Sequence, residues 1–487
     1  MNRRVAGLLA LAGLFALASC TVGPKYSKPS VPMTPAFKEP PPASFKENGN
    51  WKAAQPEDST LRGKWWEIFN DPHLNGLEEQ LDPSNLDLKV AEARFRQARA
   101  AVRFNRSSLY PTVSTQPYIN SVRDSANRPY FEVPSVQPTG DFNLPFDLSY
   151  EVDFWGRVRR TISASREEAQ ASAGDLATLS LSLHAELAVD YFELHTADAQ
   201  QQVLNDTVKA YTEALQLTTN RYQGGVAARQ EVAQAQTQLD TTKAQATDVG
   251  VLRSEYEHAI AILLGRPPAL FALPAEPLKA SPPAIPVGVP SMLLERRPDI
   301  ASAERRVAEA NDQIGIARAA YFPTITLSAT AGLEGTSILN WFTWPARLWS
   351  VGPGASETLF DAGRRRATME NASANYDATV ATYRQTTLDA FQQVEDNLAA
   401  LRILEHEAAQ QRDAVLSSQN WLALSMNRYK GGVDTYLNVI TSQTVNLTNQ
   451  QTEIDIMRRR MDASVLLIKA LGGGWNSSAL PTVSSLR

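Results

Sequence analysis

The chain repeats itself. The segment Asn220-Arg221-Tyr222-Gln223-Gly224-Gly225-Val226 returns as Asn427-Arg428-Tyr429-Lys430-Gly431-Gly432-Val433, an offset of 207 residues. The same offset carries Gly156-Arg157 onto Gly363-Arg364 and Leu264-Gly265 onto Leu471-Gly472. An offset of 212 carries Tyr110-Pro111-Thr112 onto Phe322-Pro323-Thr324 and Glu92 onto Glu304. Two copies of one structural unit therefore cover most of the chain. A repeated unit of this kind usually cannot bury its apolar face without neighbours, so the duplication points to an assembly.

The N-terminus says where that assembly sits. Arg3 and Arg4 precede an apolar run from Val5 to Leu17, too short for a permanent membrane span, which predicts a signal peptide. Leu17-Ala18-Ser19-Cys20 resembles a bacterial lipobox and makes Cys20 the expected lipidated first residue of the mature chain. Thr21 is not the aspartate of an inner-membrane retention signal, so the outer membrane is expected. Cys20 is the only cysteine, which leaves no thiol for disulfides, metal or nucleophilic chemistry. Hydrophobic residues make up 43% of the chain, and no apolar run of about 18 residues follows the signal. The formal charge falls from -5 to -7 when Arg3 and Arg4 leave, which argues against nucleic acid as a partner.

Beyond a Pro-, Lys- and Ser-rich stretch from Thr21 to about Pro56, which reads as an extended tether, Trp65-Trp66 and Asp71-Pro72-His73-Leu74 open the folded part. Pro83 and Ser84 predict the start of a helix that runs to about Ser108. The period then changes. Leu144, Phe146, Leu148, Tyr150, Val152 and Phe154 alternate with polar residues, and Thr324 to Ala331 alternates in the same way. Weaker runs near Thr112 to Asn120 and Leu348 to Leu359 complete two hairpins, one per repeat. Strands of about 10 residues are long enough to cross a bilayer when tilted.

Helical pattern occupies Arg157 to Tyr222 and Ala227 to Leu264, with seams at 3-4 spacing such as Leu204, Val208, Tyr211, Leu215, Thr218 and Tyr222. In the second repeat Ile440, Leu447, Ile454, Met461 and Ile468 stand one heptad apart. Gly224-Gly225 and Gly431-Gly432 are expected to supply left-handed residues that stop one helix and reverse the chain, with Arg221 and Arg428 in the last turn. The first long helix spans roughly 100 Å and its returning partner roughly 57 Å. The helix from Pro83, roughly 39 Å, fits the remainder end to end. Ala301 to Ala320 and Thr435 to Leu471 repeat the arrangement, and the Pro-rich stretch from Arg266 to Pro290 links the two units.

Enzyme signatures are missing. His73, His184, His195, His258 and His406 form no ligand-spaced set and read as solvated helix histidines, so neither metal nor cofactor is implied. No phosphate-cradling loop or nucleophile elbow is present. A geometric problem remains: four membrane-length strands cannot close a barrel, and an open edge in lipid leaves unpaired backbone groups. Chains must pool strands, two giving eight and a filled lumen, three giving twelve and an aqueous one. A lipid-anchored coiled-coil spacer would account for the helices and Cys20 but not for the strands, and the same tunnel could serve protein secretion.

The segments Cys20-Thr21-Val22-Gly23-Pro24-Lys25-Tyr26, Trp65-Trp66 with Phe69-x-Asp71-Pro72-x-Leu74, Tyr150 to Arg157 and Arg296-Arg297-Pro298-Asp299-Ile300 resemble the outer membrane factor family, the TolC-like channels, in its NodT-type lipoprotein branch. The resemblance covers the mature chain. It implies a mixed, mainly α fold: a homotrimer whose coiled-coil helices form a periplasmic α-barrel and whose four strands per chain enter a shared 12-strand β-barrel. It also implies the exit duct of a tripartite pump, with a periplasmic adaptor (membrane fusion) protein, an inner-membrane transporter of RND or other type, and outer membrane lipid as partners.

On that basis the chain divides into a signal peptide, 1–19; a lipid-anchored segment of the equatorial belt, 20–82; repeat 1, 83–264; a connector in the belt, 265–297; repeat 2, 298–471; and a tail, 472–487. The two reversals become the tunnel tip, where Arg221, Tyr222, Gly224, Gly225 and Val226, with Arg428, Tyr429, Gly431, Gly432 and Val433, resemble adaptor-binding grooves. Leu437 matches the family's apolar gate position. Asn438 and Thr441 stand where aspartates are frequent in the family, and Glu231 and Asp434 are expected to supply negative field instead.

Overall fold

The computed structural model describes residues 21–42, 63–123, 125, 138–278, 281–285, 287, 290–482 and 484–486. The signal peptide and the lipidation at Cys20 lie outside the described residues. Seven helices of substance occur among them: α1 (Pro72–Ser84), α2 (Leu86–Ser107), α3 (Arg157–Gln223), α4 (Arg229–Leu263), α5 (Pro298–Ala319), α6 (Arg364–Lys430) and α7 (Tyr436–Ala470). Five strand segments, β1 (Thr112–Thr115), β2 (Tyr118–Val122), β3 (Thr139–Val152), β4 (Thr324–Gly335) and β5 (Arg347–Ser356), form one antiparallel sheet. No described helix is long and apolar enough to cross a membrane.

The duplication is visible in the lengths. Helices α3 and α6 have 67 residues each, roughly 100 Å, and the returning helices α4 and α7 have 35 each, roughly 52 Å. The shortfall is met by α2 and α5, of 22 residues each. The two end-to-end junctions are built alike. Asn85, the N-cap of α2, accepts from Leu88 N and donates from Nδ2 to Leu263 O, the last residue of α4, at 2.9 Å. Arg297, the N-cap of α5, donates to Ala470 O, the last residue of α7, at 3.1 Å. A helix C-terminus leaves carbonyls without intrahelical partners, and these side chains satisfy one at each joint. Gly265 and Gly472, related by the repeat offset, are left-handed at the same joints and press against Ser84 O and Arg296 O.

One boundary differs from the sequence expectation. Pro83 lies in the last turn of the separate helix α1, and α2 starts only at Leu86. The cause is local: Asp71 caps α1 by accepting from His73 N and Leu74 N, so the apolar set Leu74, Leu77 and Leu81 folds as its own helix against α3.

In the sheet, β1 and β2 both pair with β3 in one continuous register, Thr115 opposite Phe146 and Tyr118 opposite Asn143. They are one edge strand, interrupted at Gln116 and Pro117, across from Pro145 and Leu144. Two prolines without N–H groups at one point break the ladder. Four strand paths therefore stand in the order β1/β2, β3, β4, β5, with the outer edges of β1/β2 and β5 unpaired among the described residues. Register aligns one face as Phe146, Ala331, Trp349; Leu148, Ala329, Val351; and Tyr150, Leu327, Pro353. The other face carries Asp147, Thr330, Ser350 and Ser149, Ser328, Gly352, with Thr330 donating to Asp147 at 2.6 Å.

Over its described residues, 21–42, the N-terminal stretch is extended, as expected, but it is pinned along the helices rather than loose; the rest of the expected tether lies outside the described residues. Val22 N bonds Trp155 O, and the buried Arg160, paired with Asp312 at 2.9 Å, donates to Val22 O and Pro24 O. Further down, Tyr26 donates to Glu304, Arg384 to Ser30 O, and the Lys38 and Glu39 amides to Glu395. The segment thus descends beside α5 and α6 to the middle of the column.

Candidate functional site

At the far end of the helices each reversal closes in the same way. Gly224 N bonds Asn220 O, Val226 N bonds Arg221 O, and the second repeat copies this with Gly431 to Asn427 O and Val433 to Arg428 O. Only the second glycine of each pair, Gly225 and Gly432, is left-handed, both at φ 74°; Gly224 and Gly431 remain right-handed. One left-handed residue is enough to end the helix.

The two tips are locked together by residues unlike in role. Arg221 crosses to the second repeat, where its guanidinium lies 4.6 Å above the Tyr429 ring and donates to Tyr429 O at 2.9 Å and Lys430 O at 3.3 Å. It thereby serves the carbonyl end of α6, where positive charge is favoured. The Tyr429 hydroxyl donates to Glu231 Oε2 at 2.9 Å, and its ring packs 5.2 Å from Tyr436 in a small core with Ala235 and Val439. Burial, with the Glu231 bond, pushes the Tyr429 hydroxyl up. Glu231 therefore points into the tip and holds a tyrosine.

Arg428, the repeat counterpart of Arg221, instead pairs within its own turn with Asp434 at 3.1 Å. Asp434 also accepts from Thr435 N and Asn438 Nδ2, and these contacts hold its carboxyl below the usual range, the backbone amide foremost. Leu437, Asn438 and Thr441 share one exposed face at the start of α7, with Leu437 58% exposed, while Tyr436 and Val439 take the buried face. Tyr222, Val226 and Val433 stand exposed at the outermost turns.

Sequence reasoning missed a second polar centre halfway along α3. His184 and His195 are buried, not solvated, because α1 and the connector cover that face; His73, His258 and His406 are exposed. His184 Nδ1 lies 2.6 Å from Glu78 and Nε2 lies 3.1 Å from Asp82, both on α1, with the Trp66 ring stacked at 4.5 Å. His195 Nδ1 meets Glu276 O of the connector at 2.6 Å. The paired tryptophans and the acids at 78 and 82, four apart on α1, were the available signal.

Burial pushes Glu78 from 4.5 up to about 7, against the pull of His184. Burial alone would lower His184, but Glu78 and then Asp82 more than offset it, and the imidazole keeps its proton above its usual range. Both groups thus hold protons more tightly folded than unfolded, so this cluster loses stability as pH rises from about 4.5 through about 7. The loss is at most about 1.4 kcal/mol per pH unit for each proton retained. Asp190 and Asp462, pushed up to about 7 chiefly by burial, slope the same way. The thermal midpoint of Glu78→Gln is therefore expected to fall less between pH 5 and 8 than that of the unsubstituted protein; parallel curves would remove Glu78 from the account.

A column of helices of double length, a half-apolar sheet whose edges are open among the described residues and a locked double tip define a channel subunit. The chain belongs to the outer membrane efflux protein family, whose model matches residues 78–266 and 289–473. It is 31% identical over 463 residues to the toluene efflux pump outer membrane protein TtgC of Pseudomonas putida, covering 95% of this chain and 94% of that protein. It is 30% identical over 432 residues to the pyoverdine export outer membrane protein OpmQ of Pseudomonas aeruginosa, covering 87% and 90%. Its fold matches the outer-membrane channel OprN with a TM-score of 0.84 at 30% identity, over 94% of this chain and 100% of that one. The CmeC outer membrane channel of Campylobacter jejuni matches in fold with a TM-score of 0.85 at 24% identity, over 94% and 96%. The expected family and fold class hold.

Proposed function

We propose that three copies of this chain form the outer-membrane duct of a tripartite efflux pump, a passive exit for drugs, solvents or other small toxic compounds. In this reading a periplasmic adaptor seats on the tip turns 221–226 and 428–433 and couples the duct to an inner-membrane transporter. One observation carries it: a four-path sheet, apolar on one face and polar on the other, with both edges unpaired among the described residues. Such a sheet is stable in lipid only if closed, and three copies supply a 12-strand barrel with an aqueous lumen. Names of relatives that export toluene or pyoverdine support efflux of small molecules.

The divisions 1–19, 20–82, 83–264, 265–297, 298–471 and 472–487 then serve as leader, anchored belt segment, first unit, belt connector, second unit and tail. A lipid on Cys20 would start the pinned descent at the barrel rim, since Thr21 packs against Gly156 directly below β3. Leu437, with Asn438 and Thr441 on the same face, forms the proposed periplasmic gate, and Glu231 and Asp434 shape its field.

Native mass spectrometry in detergent is expected to give a trimer, and planar bilayers are expected to show ohmic single channels. A monomer that still conducts would overturn the reading. Labelled palmitate should enter the unsubstituted protein but not Cys20→Ala.

A further inference from the structure

We infer that the segment joining β4 to β5, residues 336–347, is a lipid-docking surface that seats in the headgroup boundary of the outer leaflet, outside the barrel; this rests on the proposed reading that the apolar sheet face meets lipid. The segment holds a short helix, Ile338–Trp341, and a Trp344–Ala346 turn. Leu339 is 90% exposed and Trp344 76%, with Phe342 and Ile338 also exposed. In water such a run has no partner, and large exposed apolar patches mark interaction sites.

The direction of the fold says which partner. The Trp341 ring lies 5.7 Å from that of Phe142, and Phe142 alternates in register with Leu144, Phe146 and Leu148 on the apolar face. Trp341 Nε1 donates to Leu333 O at the end of β4, and Gly335 admits the approach, since a Cβ there would stand 3.1 Å from Trp341 Cα. The helix is therefore folded over the outer, apolar side of the sheet. Over the lumen it would meet Asn143 and Glu334 instead.

A capping box of Ser337 and Asn340 fixes the helix start, so the aromatic residues are presented on a defined element. The segment contains no acidic residue and ends on Arg347, whose guanidinium lies over the Trp344 ring and whose Nε donates to Trp344 O at 2.9 Å. Indole and guanidinium side by side, continuous with a lipid-facing wall, suit the boundary between acyl chains and anionic phosphate headgroups.

The test uses the full-length protein in phosphatidylcholine vesicles with and without phosphatidylglycerol. Leu339→Cys carries a bimane label, and a second variant, Val351→Cys, reports the middle of the apolar sheet face; the unsubstituted protein gives the labelling background. Expected for position 339 is several-fold stronger quenching by headgroup spin-labelled lipid than by iodide, with a blue-shifted emission. The headgroup quenching should rise with phosphatidylglycerol, and Arg347→Gln should abolish that rise. Iodide quenching at 339 with lipid quenching intact at 351 would overturn the docking surface alone. Iodide quenching at both positions would overturn the barrel reading instead. Headgroup quenching that ignores phosphatidylglycerol would overturn the role of Arg347.

Discussion

Gly472→Ala is expected to lower the thermal unfolding midpoint more than any other single glycine substitution at a helix end, because it strains a joint twice. Gly472 has φ 95°, a left-handed conformation that costs an alanine about 1–2 kcal/mol. A Cβ there would also overlap Arg296 O, so the α7 terminus must shift away from α5 at about 1–3 kcal/mol more. That shift would pull Ala470 O from the buried Arg297, whose guanidinium also binds Gln393 and the two carboxylate oxygens of Asp299. Gly225→Ala is the control. It has φ 74° but open space around the Cβ, so it should show the conformational cost alone. Differential scanning fluorimetry on the detergent-solubilised protein compares them; equal midpoints would mean that the joint relaxes freely.

The joint also explains what the sequence disclosed and what it hid. The repeats Leu264-Gly265 and Leu471-Gly472 were legible as motifs, and the helix lengths required something to complete the column. The atoms that make the junction were not legible, because Asn85 and Arg297 are different residues performing one task 212 positions apart. Strand faces followed from period-2 alternation alone, since register in a half-buried sheet is fixed by which side chains face apolar surroundings. The burial of His184 could not be read from α3, whose buried residues are spread over several sides with no single apolar stripe; it depends on a helix folded from residues 72–84 that arrives from more than 100 positions away. At the tip, the family resemblance and the position after each turn gave Glu231 and Asp434 as field-setting charges. Their partners were not legible, Tyr429 for one and Arg428 for the other.

Those partners change what substitutions at the tip should do. Arg221→Ala removes two hydrogen bonds to the last carbonyls of α6 and a stacked cation, together about 2 kcal/mol of coupling between the repeats. With that lock gone the α6–α7 pair can swing from α3, and single-channel conductance should rise several-fold. Leu437→Ser should raise it by a different route, because an apolar ring at a narrow point resists wetting and a hydroxyl does not. The two effects are separable: the Arg221 variant loosens the tip, measurable as faster proteolysis at residues 224–226, whereas the Leu437 variant leaves the Tyr429 core intact. Asp434→Asn should change selectivity more than opening. It leaves Arg428 without its carboxylate, so each of three copies gains a positive charge at the mouth and cation preference should fall, most at low ionic strength where screening is weak. Reversal potentials across a salt gradient read that shift directly. Unchanged conductance in both Arg221→Ala and Leu437→Ser, with an unchanged reversal potential in Asp434→Asn, would place the constriction away from these turns.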